Sequence, residues 1–388
     1  MKTNFLTLNV IAALLLGACS SDDTASVVVN NNEVTTTVDE DGTVNLSGIY
    51  SDDLTLDAST NYLLNGALIM DTGSTLTIPA GTTIKAIKTG VGAGTYIAVS
   101  EGATIIAEGT ADNPIVLTSS ESSPEAGDWG GLIILGDAPI NSVTGNDTAT
   151  SEIANLPYGG TDSEDNSGIL KYVRIEYSGG SADGSSENNG LSLYGVGNGT
   201  TIEYVQTFEG KDDGIEFFGG TVNASYISVI NAQDDSIDWT EGYTGTITNA
   251  YVQHGAEHDK AVEADGFNTD IGLIGNFYSS PTVTNLSIYG LGSIEDAGSE
   301  AIRLRVGTEG VFSNIYIQGY EEAFDLDDEQ TGISVTSGNL SVTDVTFDDV
   351  ITKLKNDTGA DFTEADFISG DGNGTQTDYA IWGAGWTK

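Results

Sequence analysis

Cysteine is all but missing from this chain. Cys19 is the only one in 388 residues, which excludes disulfides, thiol nucleophiles and Cys-based metal sites from everything downstream of it. Histidine is nearly as scarce, with two. Basic residues number 12 against 58 acidic ones, a formal net charge of −46. So acidic a chain repels polyanions and offers no basic footprint for phosphate, so DNA, RNA and bare anionic membranes are poor partners. Cations and neutral glycans fit it better. Beyond the first residues no apolar run approaches the roughly 20 residues of a membrane-spanning helix, and a pore or transporter role has no support. Proline is held to six residues while glycine reaches 50. With frequent Thr, Ser, Asn, Val and Ile, that is the composition of an all-β chain with many turns.

The N-terminus reads as an address. Lys2 precedes a short apolar run, Phe5 to Leu16, that ends in Leu16-Gly17-Ala18-Cys19. The run is a signal peptide, residues 1–18, and is set aside before fold reasoning. The tetrad resembles a bacterial lipobox, which implies lipidation of Cys19 and anchorage to a membrane through acyl chains. Ser20-Ser21-Asp22-Asp23 resembles the acidic export signal of Bacteroidetes surface lipoproteins. Residues 19–43, rich in Ser, Thr, Asn and Asp, read as a flexible tether.

The remainder, 44–388, is repetitive. Asp212-Asp213-Gly214-Ile215-Glu216-Phe217 returns 22 residues later as Asp234-Asp235-Ser236-Ile237-Asp238-Trp239. Leu76 to Ile84 is echoed at an offset of 21 by Ile97 to Ile105. Alternation with a period of two marks strands with one buried face. From residue 169 onward two sets of strand centres interleave. The first is Leu191, Ile215, Ile237, Val262, Ile302 and Phe324. The second is Val173, Val205, Ile227, Val252, Ile288, Ile317 and Phe347, with Tyr172, Tyr204, Tyr226, Tyr251 and Tyr316 preceding five of them. Interleaving of this kind describes one coil with several strand faces, a solenoid. The expected fold is a right-handed parallel β-helix. Propeller blades are about twice as long as this repeat, and Leu and helical segments are too scarce for leucine-rich repeats. Residues 141–168 read as a polar loop. Inserts around 265–281 and between Ile317 and Phe347 are expected to loop out on one side, and 350–388 to cap the last coil.

Three stretches carry a family resemblance: Gly127 to Asn141, Asp212 to Asn223, and the closing Trp382 to Thr387. They resemble bacterial, mainly Bacteroidetes, surface lipoproteins with a parallel β-helix. The resemblance implies fold and an outer-membrane, surface-exposed location, and it implies no chemistry.

The first set of centres places acidic residues one above another. One residue after each centre stand Ser192, Glu216, Asp238, Glu263, Arg303 and Asp325; two before stand Asn189, Asp213, Asp235, Lys260, Glu300 and Glu322. Strict alternation points the first of these rows outward. Carboxylates on rungs about 4.8 Å apart repel by about 0.9 kcal/mol even in bulk water. They must splay apart, cap turn amides, hold protons or share a cation. Asp213, Glu216, Asp235, Asp238 and Glu263 form the candidate metal set, and calcium is the cation that suits flexible oxygen ligands. Arg303 and Lys260 cut into the rows, which suggests ion-pair ladders Glu263–Arg303–Asp325 and Asp235–Lys260–Glu300. The catalytic alternative uses Glu263, Arg303 and Lys260 as in pectate-lyase-like β-helices, where carboxylate-held calcium neutralises a uronate and a base abstracts its α-proton. No motif of those lyases is present. Carboxylates on neighbouring rungs also fit a glycoside hydrolase.

His254 and His258 have a spacing that suits a zinc pair on a helix, but strand followed by turn surrounds them, and they read as solvated loop residues. Phe217 and Trp239 should point inward. Phe218 and Tyr243 are candidates for stacking on sugar rings. The expected function is a lipid-anchored surface β-helix that binds divalent cations and a glycan or another surface protein, with a calcium-dependent polysaccharide lyase or glycoside hydrolase as the alternative.

Overall fold

Each repeat carries the chain once round and returns it one strand spacing further along, so like residues stack on like. In the computed structural model, which describes residues 25–26, 37–88, 94–181 and 188–388, the strands of the coils pair in parallel with their equivalents in neighbouring coils. Antiparallel strand pairing is confined to short stretches at 25–26, 37–38, 44–45, 149–150 and 157–158. The expected parallel β-helix is therefore the fold. Cys19 and most of the tether lie outside the described residues. Among the described residues no helix is long and apolar enough to cross a membrane.

One face is built from short strands whose register is Leu132, Leu191, Ile215, Ile237, Val262, Ile302, Phe324 and Leu354 in successive coils. This is the first column as the sequence spelled it. The centres and the residues two beyond them, such as Phe217, Trp239 and Leu304, are buried in one continuous core.

The other two faces come from longer strands bent once. At each bend one residue takes a left-handed conformation: Tyr172, Tyr204, Tyr226, Asn249, Asn285, Asn314 and Asp344, with φ between 50° and 59°. Asn and Asp tolerate this region better than most residues. Stacking helps hold the bends. The rings of Tyr172, Tyr204 and Tyr226 lie parallel with centroids 4.4 and 4.3 Å apart. Asn285 and Asn314 then each donate an amide hydrogen bond to the Asn one coil earlier, at 3.1 and 2.8 Å.

The second column needs a correction. Ile227 pairs with Ala250, not Val252, and the register continues through Leu286, Ile315 and Val345. Val252, Ile288, Ile317 and Phe347 stack instead above Val229. A slip of two residues keeps the same face inward, so alternation cannot detect it.

The C-terminus also departs from expectation. Leu340–Asn356 completes the last full coil and Ile368–Asp371 pairs onto it, with Phe367 buried against Phe324. Residues 373–388 do not cap. They run back along the outside of the bent strands as a strap. Tyr379 stacks on Tyr251 at 3.8 Å, Trp382 meets Tyr226 at 5.7 Å, and Trp386 sits edge-on to Tyr172 and Tyr204. Arg174 Nη1 donates to the Trp386 carbonyl at 2.9 Å. The strap covers a row of aromatic edges that would otherwise face water.

Candidate functional site

The outward residues of the first column change character along the axis. At the N-terminal end they are apolar: Ala98, Ile133, Leu135, Tyr194 and Phe218. The 141–168 loop, expected to be polar, folds over them and contributes Ile153 and Tyr158, with Ile140 just before it, to a second, smaller core. Phe218 is therefore no sugar platform; it is 7% exposed, with its ring stacked 4.0 Å from that of Tyr194. Tyr243 is corrected likewise. It is fully buried, stacked on Phe217 at 4.3 Å, and its hydroxyl donates to the Val222 carbonyl at 2.9 Å.

In the row one residue after each centre, Ala98 and Ile133 give way to polar and then acidic residues, while Leu135, Tyr194 and Phe218 form the row two residues further on. Ser192, Glu216, Asp238, Glu263, Arg303, Asp325 and Lys355 are in register on successive strands. Asp213 and Asp235 lie where the chain enters their strands, and both cap amides one coil on. Asp213 Oδ1 accepts from the Asp235 amide at 2.9 Å, and Asp235 Oδ1 from the Lys260 amide at 2.7 Å. Capping thus explains one oxygen of each. Asp213, Glu216 and Asp238 still offer oxygens within 4.8 Å of one another, as do Asp235, Asp238 and Glu263. All five residues of the candidate metal set come together, in two triads that share Asp238.

The electrostatics of these triads are unfavourable to charge. Burial, then Asp235, Glu216 and Asp238, push the Asp213 carboxyl well above its ordinary range. Burial, then Glu216, Asp235 and Glu263, do the same to Asp238, whose Oδ1 is buried and accepts no hydrogen bond from any described residue. Glu216 is raised chiefly by burial, although Asn189 Nδ2 donates to its Oε2 at 2.6 Å and pulls the other way. Asp235 is raised by burial and by Glu263.

Positive charge enters only at the next rungs, and not as the sequence suggested. Arg303 stands in register between Glu263 and Asp325, yet its guanidinium turns to Asp327, at 2.9 and 2.7 Å. Glu263 is served instead by Arg305, which also holds Asp265 at 2.5 Å. Lys260 pairs with Asp259 at 2.5 Å and Glu263 at 3.6 Å, and Lys355 takes Asp325 at 2.9 Å. Neither expected ladder forms, because a long side chain reaches diagonal neighbours as readily as those directly opposite. Arg305 and Asp265 escaped the sequence reading although they stand two beyond Arg303 and Glu263 and so face outward as well. Despite Arg305, burial with Glu263 and Asp328 raises Asp265 to about 6.

Two inserts wall the row. Glu241, 1% exposed, accepts from Tyr158 at 2.7 Å, Ser142 at 2.9 Å and Asn268 at 3.1 Å. It therefore pins the 141–168 loop to the 265–281 insert. Asn141 repeats the link, donating to the carbonyls of Gly266 and Phe277, both at 2.8 Å.

The histidines are not solvated. His254 is 3% exposed, lies 2.9 Å from the Tyr320 hydroxyl, and is lowered to about 3 by burial and by His258. His258 contacts Asp296 at 2.8 Å. Their rings stack face to face at 4.1 Å, an arrangement that cannot converge on one zinc ion. The 290–299 loop closes over them, which strand periodicity does not reveal.

A family model described as a pectate-lyase-like β-helix domain matches residues 48–387. Among solved structures, the catalytic domain of a GH87 α-1,3-glucanase in complex with nigerose aligns at 9% identity and a TM-score of 0.37. The alignment covers 85% of this chain and 63% of that one, so this chain spans less than two thirds of that structure. No curated protein matches.

Proposed function

The chain belongs to the pectate-lyase-like β-helix domain family, and from that premise we propose that it is a carbohydrate-binding β-helix whose acidic row holds calcium. The observation that carries the reading is the pair of carboxylate triads sharing Asp238. Glu263 has Arg305 and Lys260, but among the described residues no ion pair reaches Asp213, Glu216 or Asp238. Stacked, half-buried carboxylates without a cationic side chain need a proton or a cation. Calcium accepts six to eight oxygens in flexible geometry, so a triad leaves coordination positions for sugar hydroxyls or carboxylates. The lipobox-like Cys19 supports lipid anchorage at the outer membrane, where a surface glycan or surface protein would be the partner.

A second reading, glycoside hydrolysis, has its own support. Asp238 is disposed to hold a proton, while Glu263 on the next rung is ion-paired with Arg305 and Lys260. A proton-holding carboxyl beside a second carboxyl group that is paired with cations is the kind of asymmetry that hydrolases use. The lyase variant is the weaker one. Burial opposes the charge of Lys260 and of Arg303, but their carboxylate partners outweigh it and raise both. A group that holds its proton so firmly is a poor base.

Chelator-treated protein titrated calorimetrically should bind calcium more tightly than magnesium, which demands stricter octahedral geometry. Asp238→Asn, which removes a member of both triads, should abolish the heat that these triads contribute while leaving the fold intact. A panel of acidic and neutral polysaccharides, with and without calcium, then tests the carbohydrate. Reducing ends released without added calcium would favour hydrolysis. Absence of both calcium heat and polysaccharide retention would sink the main reading.

A further inference from the structure

We propose that Glu300, Glu322 and Asp325 form a second divalent-cation site, separate from the triads around Asp238 and held in check by Lys355. The three residues come from two adjacent coils. Glu300 and Glu322 are register partners, and Asp325 follows Glu322 on the same strand. Each offers an oxygen, all within 4.8 Å of one another. Arg303 occupies the rung between Glu263 and Asp325 in the outward row, so the two groups do not merge.

What marks this cluster out from an ordinary acidic patch is Asp325. It is 1% exposed, and its Oδ1 is buried without a hydrogen-bond donor from any described residue. Glu300 Oε2 is likewise buried without a donor, and Glu322 Oε2 is buried with only the Lys355 ammonium near it, outside hydrogen-bond geometry. Their nearest cations are imperfect. Lys355 Nζ lies 2.9 Å from Asp325 Oδ2 and 3.2 Å from Glu322 Oε2, and Arg303 Nη1 only comes within 3.9 Å of Glu300 Oε2 while bonding Asp327. Leaving a buried carboxylate oxygen unpaired is costly, and a metal ion removes that cost for all three at once.

The site also has a way in and a way to yield. A cavity of about 450 Å³, lined by His258, Lys260, Asp296, Ser299 and Arg303, opens on Glu300. Lys355 is 35% exposed and already lies 3.6 Å from Asp357, so its ammonium has another carboxylate to turn to when an ion takes its place. Oxygen-only donors of this kind select hard ions such as calcium, magnesium or manganese over zinc.

The test uses manganese. Crystals of the wild-type protein soaked in it should show an anomalous peak bounded by Glu300, Glu322 and Asp325, whether or not a second peak appears at Asp238. In an Asp238→Asn background, Asp325→Asn should lose manganese binding. Lys355→Met, a change at a partly exposed position, should tighten it about tenfold, because a competing unit charge about 3 Å away is gone. A purely structural ion pair would respond the other way, with no gain in affinity. No peak at the triad, in wild type and in Lys355→Met alike, or manganese affinity unmoved by Lys355→Met, would overturn the proposal.

Discussion

Chelator-treated Asp238→Asn protein should melt at a higher temperature than chelator-treated wild type, and it should lose the part of the calcium response that the triads around Asp238 supply. The two halves of this result have one cause. Asp238 sits among Asp213, Glu216, Asp235 and Glu263, and burial with their charge raises its pKa. The folded-state values of Asp213, Glu216, Asp235 and Asp238 all lie above the usual carboxylate range. Unfolded carboxylates lose their protons near pH 4. Above that the folded state binds more protons than the unfolded one, so stability is greatest at low pH and is lost as pH rises through the folded values. The loss is at most about 1.4 kcal/mol per pH unit for each proton retained. An amide carries no charge to desolvate and removes one member of the repelling set. Calcium at a hundredfold excess over its dissociation constant should add about 2.7 kcal/mol to wild type and flatten its pH dependence. Thermal melts from pH 4 to 8, with chelator and with calcium, read all of this. Asp112→Asn, at an exposed position, controls for the net charge and should move stability by less than about 0.5 kcal/mol. A chelated wild type whose midpoint is flat or climbs across this range would contradict the account.

Trp239→Ala should cost about 3–5 kcal/mol, as large-to-small changes at fully buried aromatics do. Trp239 follows Asp238 on the same strand and points the opposite way, into the core. It is fully buried, its indole N–H donates to Thr308 at 3.2 Å, and its ring lies 6.0 Å from Phe312 and 6.5 Å from Tyr243. Few neighbours can close such a gap, because the coils above and below are fixed by their own hydrogen bonds. The strand that carries Asp238 outward is anchored by this side chain, so the variant should also bind calcium more weakly. Urea unfolding gives the first quantity and titration the second. Trp239→Phe should recover part of both. A loss below about 1 kcal/mol would mean that the stack tolerates a void here.

Several features of this molecule were legible in the sequence because they depend on period alone. The 22-residue recurrence, the inward centres from Leu191 to Phe324 and the outward acidic row follow from counting, since a parallel stack repeats each residue's environment on the next coil. The same reasoning found all five candidate ligands. It failed where two arrangements have the same parity, as in the slip that moved Val252 onto Val229. It also failed where a segment leaves the coil. Nothing in the alternation of 141–168 says that Ile153 and Tyr158 will cover Phe218, or that 373–388 will run back along the tyrosines.

What the sequence by itself determined is therefore the repeat, the fold, and which residues share the acidic face, because these are set by local alternation and the strand spacing. Only the tertiary structure decided which carboxylates have a cation. Long side chains choose partners by reach rather than by register, so Arg305 serves Glu263, Lys355 serves Asp325, and Asp213, Glu216 and Asp238 have no ion pair among the described residues.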